Sequence, residues 1–133
     1  HPENSVHFEK WPVHCVKNTK GAEFHPDLNS SRFDKVLLKG THDKDDGYSA
    51  FEATTDNLVD LLQGKDAETV YVAGLTTDYC VKDTVLDALS KGFKVKVVED
   101  AIRAVNVNPG DGDKAIREME EQGADFVLSK DLL

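Results

Sequence analysis

The sequence predicts an α/β fold in which a parallel sheet is flanked by helices on both faces. From residue 35 onward, short apolar segments alternate with segments of helical periodicity. The apolar segments are continuous rather than alternating, which is typical of parallel strands buried on both sides. With 133 residues, of which 39% are hydrophobic, the chain can build one core, and we predict a single domain over residues 1–133.

The predicted strands are short apolar runs, and glycines follow the first two of them at Gly40 and Gly74. They cover residues 35–39, 69–73, 94–98 and 124–128. In parallel sheets of this kind, ligands bind beyond the carboxyl ends of the strands. We therefore expect the functional residues in the segments that follow the first three strands.

Three segments predict helices, namely residues 55–63, 79–91 and 112–122. Asp56 is expected to cap the first of them. In the second, Val81, Val85 and Leu89 repeat at a spacing of four residues and predict a buried stripe. Residues 1–34 contain three of the four prolines and show no periodicity. They predict a long structured loop, and long loops in compact domains are usually functional.

Composition limits the classes of partner. The net charge of −9 disfavours nucleic acid and anionic membranes, and no apolar run reaches the roughly 18 residues of a membrane span. There are two cysteines, Cys15 and Cys80, too few for a disulfide framework, so we expect a cytoplasmic protein. The sequence leaves open whether the protein forms a homo-oligomer.

Cys80 is predicted to lie in the first turn of a helix, directly after a strand. The unpaired N–H groups and partial positive charge of a helix N-terminus stabilise a thiolate. The same N–H groups can hold the oxyanion that forms when a thiolate attacks a carbonyl. A free cysteine in such a place is about as often a small core residue, so position alone leaves both interpretations open.

The segment G-L-T-T-D-Y-C-V around Cys80 resembles the nucleophile motif of the isochorismatase-like cysteine hydrolases. In this family, a cysteine attacks an amide carbonyl. The resemblance implies that Cys80 is the nucleophile and that a non-proline cis peptide joins Leu75 to Thr76. It also implies an oxyanion hole formed by the backbone N–H groups of Thr76 and Cys80, within a Rossmann-like three-layer sandwich.

Two further segments resemble the same family. Lys39-Gly40-Thr41 resembles the segment of its catalytic lysine, although a lysine at a strand end more often reaches solvent. G-Y-S-A-F, which starts at Gly47, resembles the segment that closes over the substrate pocket. Tyr48 would then line the substrate site, and an ordinary packed tyrosine is an equally good interpretation.

H-P followed by W-P-V-H-C resembles the metal-binding segment of the nicotinamidases within this superfamily. The resemblance implies that His1 and His14 bind one divalent metal ion, which we expect to be zinc, with iron or manganese as alternatives. Trp11 would stack on a flat substrate ring. His7, which lies between the two parts of this pattern, is either a group that supports the metal ligands or a surface histidine, and we expect it at the surface. We expect Cys15 to be a packing residue.

The resemblance implies hydrolysis of nicotinamide to nicotinate and ammonia through a thioester on Cys80. It places the family's first strands, its aspartate base and a third metal ligand upstream of His1. Asp43, Asp45 and Asp46 are expected to form a solvated acidic loop instead. The alternatives are a carbamoyl-amide or maleamate hydrolase of the same superfamily, which would lack the metal segment, and a non-catalytic member of the fold.

Overall fold

The computed structural model describes residues 1–132, which form two compact units. The first unit comprises His1–Gly47 and Glu52–Asp56, and the second comprises Tyr48–Phe51 and the chain from Asn57 onward. In the part of the chain that the structure describes, every helix is too short or too polar to cross a membrane.

A parallel three-stranded sheet organises the second unit, as the sequence predicts. Its strands are β1 (Thr69–Leu75), β2 (Lys94–Arg103) and β3 (Asp125–Val127), in the order β1-β2-β3. β2 is five residues longer than its predicted range of 94–98, because its far end, at Ile102 and Arg103, pairs with the end of β1 after a register shift.

Three helices accompany the sheet: α1 (Leu58–Gln63), α2 (Lys82–Ser90) and α3 (Asp111–Glu121). The predicted apolar stripe is confirmed, since Val81 and Val85 are buried and Leu89 packs against them in one hydrophobic cluster. The other buried members of this cluster are Ala88, Phe93, Val95, Val97, Met119 and Ala124. The core of this unit is therefore shared by α2, α3 and β2.

The cap of α1 differs from the prediction. The helix begins at Leu58, and its N-cap is Asn57, whose side chain accepts the N–H of Asp60 at 3.2 Å. Asp56 lies one residue too early to cap the helix, and its carboxylate pairs with the ammonium group of Lys35 at 3.0 Å. The expectation that Asp56 caps α1 is therefore wrong, because a tertiary ion pair holds that side chain.

The first unit is irregular, as predicted for residues 1–34. Its regular structure there consists of the short 3₁₀ turns Val6–Glu9, Lys20–Ala22 and Ser30–Arg32.

The predicted strand 35–39 is not formed. Val36 and Leu38 are 43% and 49% exposed, and among the described strands none pairs with this segment. The backbone of Leu38 instead bonds to two threonines, since its N–H donates to Thr55 Oγ1 and its carbonyl accepts the N–H of Thr54. A strand needs a partner ladder, and an apolar run alone does not supply one.

Candidate functional site

The segment around Cys80 joins β1 to α2. A non-proline cis peptide links Leu75 to Thr76, as the resemblance implies. The chain then enters a wide π-helical turn, Thr77–Val81, that continues into α2 and contains Cys80. The Thr76 carbonyl accepts the N–H of Val81 at 3.0 Å and so closes the turn. Such turns are rare in proteins as a whole, but those that occur are often found at functional sites.

Both cysteines are thiols rather than disulfide partners. Cys80 is half-buried, whereas Cys15 is exposed, so the expectation that Cys15 is a packing residue is wrong. Its backbone has φ 45, a conformation that belongs to turns, which leaves the side chain outside any core.

Asp78, two residues before Cys80, is 7% exposed. Its carboxylate accepts the backbone N–H of Val105 at 3.0 Å and that of Asn106 at 2.8 Å. The turn that carries Cys80 is thereby attached to the loop that follows β2. The sequence motif contains this aspartate, but the motif gives no indication of its partners.

Two tyrosines lie near the same turn. The ring centroids of Tyr48 and Tyr79 are 5.9 Å apart, with the planes tilted by 33°. Burial raises the pKa of the Tyr79 hydroxyl, and the carboxylates of Asp111 and Asp78 raise it further. Tyr79 therefore stays neutral at physiological pH, and Tyr48 belongs to an aromatic pair rather than standing alone.

Three histidines of the first unit converge. One ring nitrogen each from His1, His7 and His14 lies within 4.8 Å of the others. The Nδ1 atom of His1 is buried and has no hydrogen-bond partner among the described residues. A buried polar atom without a partner is unusual, and imidazole nitrogens are common ligands of zinc, iron and manganese. The donor set therefore fits a divalent metal ion.

The Nδ1 atoms of two of these histidines take part in hydrogen bonds. His14 Nδ1 lies 2.6 Å from the Pro12 carbonyl, which can only accept, so this nitrogen carries the proton. His7 Nδ1 lies 2.7 Å from Asp46 Oδ1. Hydrogen bonds from His7 and Lys10 hold the pKa of Asp46 below its ordinary value. In the neutral ring of either histidine, these contacts place the proton on Nδ1, which makes Nε2 the nitrogen with the lone pair that metal binding requires.

His7 is 3% exposed, so the expectation that it lies at the surface is wrong. Its ring stacks on that of His1 with centroids 4.0 Å apart, which buries it. The spacing around His7 shows no helical or strand periodicity that would have revealed this. One signal was present, since three of the five histidines fall within residues 1–14.

Lys39 and Trp11 lie in the same unit as the histidines. Lys39 is half-buried, and its ammonium group donates to the Gly47 carbonyl. The following Gly40 has φ +63, and a Cβ atom there would lie 2.7 Å from the His1 ring, so the chain passes directly against that ring. The Trp11 ring is 6.2 Å from the His7 ring, with the planes inclined by 22°.

The predicted site residues thus fall into two groups. His1, His14, Trp11 and Lys39 belong to the first unit, whereas Tyr48, Thr76 and Cys80 belong to the second.

Sequence comparison identifies the class of protein. Residues 1–131 match the isochorismatase domain, and the chain belongs to this family. Its relatives include the nicotinamidase of Escherichia coli K12, which is 44% identical over 125 residues that cover 91% of this chain and 59% of that protein. The nicotinamidase/pyrazinamidase of Mycobacterium tuberculosis is 34% identical over 122 residues, or 90% and 63% of the two chains. The chain thus spans about three-fifths of the length of these relatives.

Solved structures agree with the fold. The pyrazinamidase of Pyrococcus horikoshii in complex with zinc superposes with a TM-score of 0.83 at 38% identity, covering 96% of this chain and 70% of that one. PnC1 of L. infantum in complex with nicotinate superposes with a TM-score of 0.88 at 34% identity, covering 98% and 68%. The α/β fold predicted from the sequence is therefore that of the isochorismatase family.

Proposed function

We propose that the protein hydrolyses nicotinamide to nicotinate and ammonia. The observation that carries this proposal is the convergence of His1, His7 and His14 next to Trp11, in a chain whose relatives at 44% and 38% identity are nicotinamidases. A cluster of neutral imidazoles beside an aromatic ring suits a flat nitrogen heterocycle and a divalent metal ion.

Cys80 supplies the nucleophile. Its thiolate Sγ attacks the carboxamide carbon, the C–N bond breaks, and the nitrogen leaves as ammonia after it takes up a proton. Water then attacks the thioester carbon, the C–S bond breaks, and nicotinate is released. The backbone N–H groups of Thr76 and Cys80 stabilise the oxyanion in both steps. The resemblance assigns the proton transfers to an aspartate upstream of His1, and Lys39 stabilises the charged groups.

His1, His7 and His14 would hold the metal ion, for which we propose zinc, with iron or manganese as alternatives. When bound, the ion supplies a Lewis acid toward a lone pair of the substrate. Trp11 and Tyr48 offer aromatic surfaces for the pyridine ring. Because both cysteines are thiols, we place the protein in the cytoplasm.

Ammonia release by the metal-loaded, full-length protein tests the proposal, with nicotinamide, maleamate and a carbamoyl amide as competing substrates. We expect nicotinamide to be preferred. Cys80→Ala should abolish turnover, and a residual rate above about 1% would contradict the covalent mechanism. Cys15→Ser is the matched control, since it removes the exposed thiol and should leave the rate near that of the wild type. Preference for maleamate or the carbamoyl amide would overturn the assigned substrate.

A further inference from the structure

Asp46 differs from the other carboxylates of its loop. Its side chain is 30% exposed, and its two oxygens have different partners. Oδ1 lies 2.7 Å from His7 Nδ1, and Oδ2 lies 3.0 Å from Lys10 Nζ. The expectation of a solvated acidic loop is therefore wrong for this residue.

A backbone carbonyl of the same loop also bonds to the segment that carries His7. The Asp43 carbonyl accepts the N–H of Val6 at 2.8 Å and the hydroxyl of Ser5 at 3.3 Å. Ser5 is 5% exposed, and its oxygen also accepts the N–H of His7 at 3.2 Å. Asp46 is thus held against the 3₁₀ turn that carries His7.

The contact selects one form of the His7 ring. An ionised carboxylate can only accept a hydrogen bond, so Nδ1 must carry a proton, and of the two neutral tautomers the contact selects the one with its lone pair on Nε2. Lys10 binds the second oxygen and restricts rotation of the carboxylate. When a histidine binds a metal ion, a carboxylate commonly accepts the N–H of its other ring nitrogen and so fixes the tautomer and orientation of the imidazole.

We propose that Asp46 is a positioning residue that presets His7 as a metal ligand, an inference that rests on the metal site of the proposed function. In this role, Asp46 sets the tautomer and orientation of the His7 ring before the metal ion binds, so the chain need not rearrange on binding.

Long-range ¹H–¹⁵N NMR of the metal-free, full-length protein tests the tautomer directly. We expect His7 to carry its proton on Nδ1 in the wild type. In Asp46→Ala, we expect the proton to move largely to Nε2, the tautomer that predominates in free histidine. A wild-type His7 protonated on Nε2 would overturn the proposal, and so would an unchanged tautomer in Asp46→Ala.

Zinc affinity, measured by competition with a chelator, supplies the second test. We expect Asp46→Ala to weaken binding about 10- to 100-fold. Asp46→Asn keeps an oxygen acceptor, so its zinc affinity should lie between those of the wild type and Asp46→Ala. If the alanine variant does not fold, the comparison of Asp46→Asn with the wild type serves as the test. Asp43→Ala removes an equal charge from an exposed residue of the same loop and should change affinity less than about twofold.

The two hypotheses fail in different ways. If His7→Ala and His14→Ala bind zinc as tightly as the wild type, the metal site itself is wrong. If those variants lose zinc but Asp46→Ala and Asp46→Asn do not, the site stands and the positioning role of Asp46 is refuted.

Discussion

The side-chain oxygen of Asn106 accepts the backbone N–H of Gly112 at 2.8 Å, at the start of α3. Gly112 is buried, and a Cβ atom there would lie 2.6 Å from the Cβ of Ala104 and 3.2 Å from Asn106 Oδ1. The loop between β2 and α3 therefore approaches the helix more closely than a side chain at residue 112 would permit.

Gly112→Ala should therefore destabilise the protein, although alanine favours a helix over glycine by about 1 kcal/mol. We expect a loss of about 1–3 kcal/mol in the free energy of unfolding, because the new methyl group overpacks the contact with Ala104. Urea denaturation measures this change. Gly21→Ala is the matched control, since the nearest atom to its added Cβ would be 3.7 Å away. A Gly112→Ala protein as stable as the wild type would show that the loop relaxes freely.

Local patterns predicted much of the second unit. The spacing of Val81, Val85 and Leu89 fixes which side of α2 is buried, because a helix repeats every 3.6 residues. The apolar run of β1 likewise indicates a parallel strand, but the expected burial on both faces is wrong for β1, in which Tyr71 and Leu75 are 53% and 69% exposed. In the same unit, the cis peptide between Leu75 and Thr76 was predicted from a resemblance over eight residues rather than from periodicity.

Features that depend on distant partners were not predictable. The burial of His7 could not be predicted, because its carboxylate partner, Asp46, is 39 residues away in the sequence. The apolar run around Leu38 was expected to be a strand, but strand formation depends on a neighbour that a single segment cannot reveal. In both cases, the missing information is tertiary rather than local.

Measurements of stability can compare the predicted cap of α1, Asp56, with the observed cap, Asn57. Asn57→Ala removes the hydrogen bond to the N–H of Asp60 and should cost about 0.5–2 kcal/mol in the free energy of unfolding. Asp56→Ala removes a partly exposed ion pair with Lys35 and should cost less than about 1 kcal/mol. Urea denaturation of the two variants decides the order. A larger loss for Asp56→Ala would show that the ion pair with Lys35 stabilises the protein more than the cap does.

The contact between Asp100 and Ser129 should make stability depend on pH. The carboxylate of Asp100 accepts the Ser129 hydroxyl at 2.6 Å and its N–H at 2.8 Å. These bonds, the hydroxyl first, lower the pKa of Asp100 from 3.8. A lowered folded-state pKa means that the carboxylate contributes stability above the unfolded pKa and loses it as pH falls through the folded pKa.

Ser129→Ala should raise the pKa of Asp100 toward 3.8, as a carboxyl ¹³C titration would show. The stability difference between this variant and the wild type should be larger at pH 7 than below about pH 4, where the carboxyl group is increasingly protonated in both. In Ser90→Ala, the lost bond goes to the Asp87 carbonyl, which does not titrate, so the difference should not change with pH. Equal pH dependence in the two variants would contradict the assignment.

Asp78 links the turn of Cys80 to the loop after β2, and Asp78→Asn should loosen both. One carboxylate oxygen becomes an NH₂ group, so the N–H of either Val105 or Asn106 loses its buried acceptor. An unsatisfied buried donor costs about 1–3 kcal/mol. Faster amide exchange at Val105 and Asn106 would measure the loosening in the folded protein.

The same substitution should change the reactivity of Cys80, because the thiol lies two residues along the same turn. We expect the rate of Cys80 alkylation to change relative to Cys15, which serves as an internal reference in the first unit. Asp125→Asn alters an exposed carboxylate on β3 and should leave both rates as they are. If Asp78→Asn speeds amide exchange but leaves the Cys80 rate unchanged, Asp78 supports the loop without holding the turn that contains Cys80.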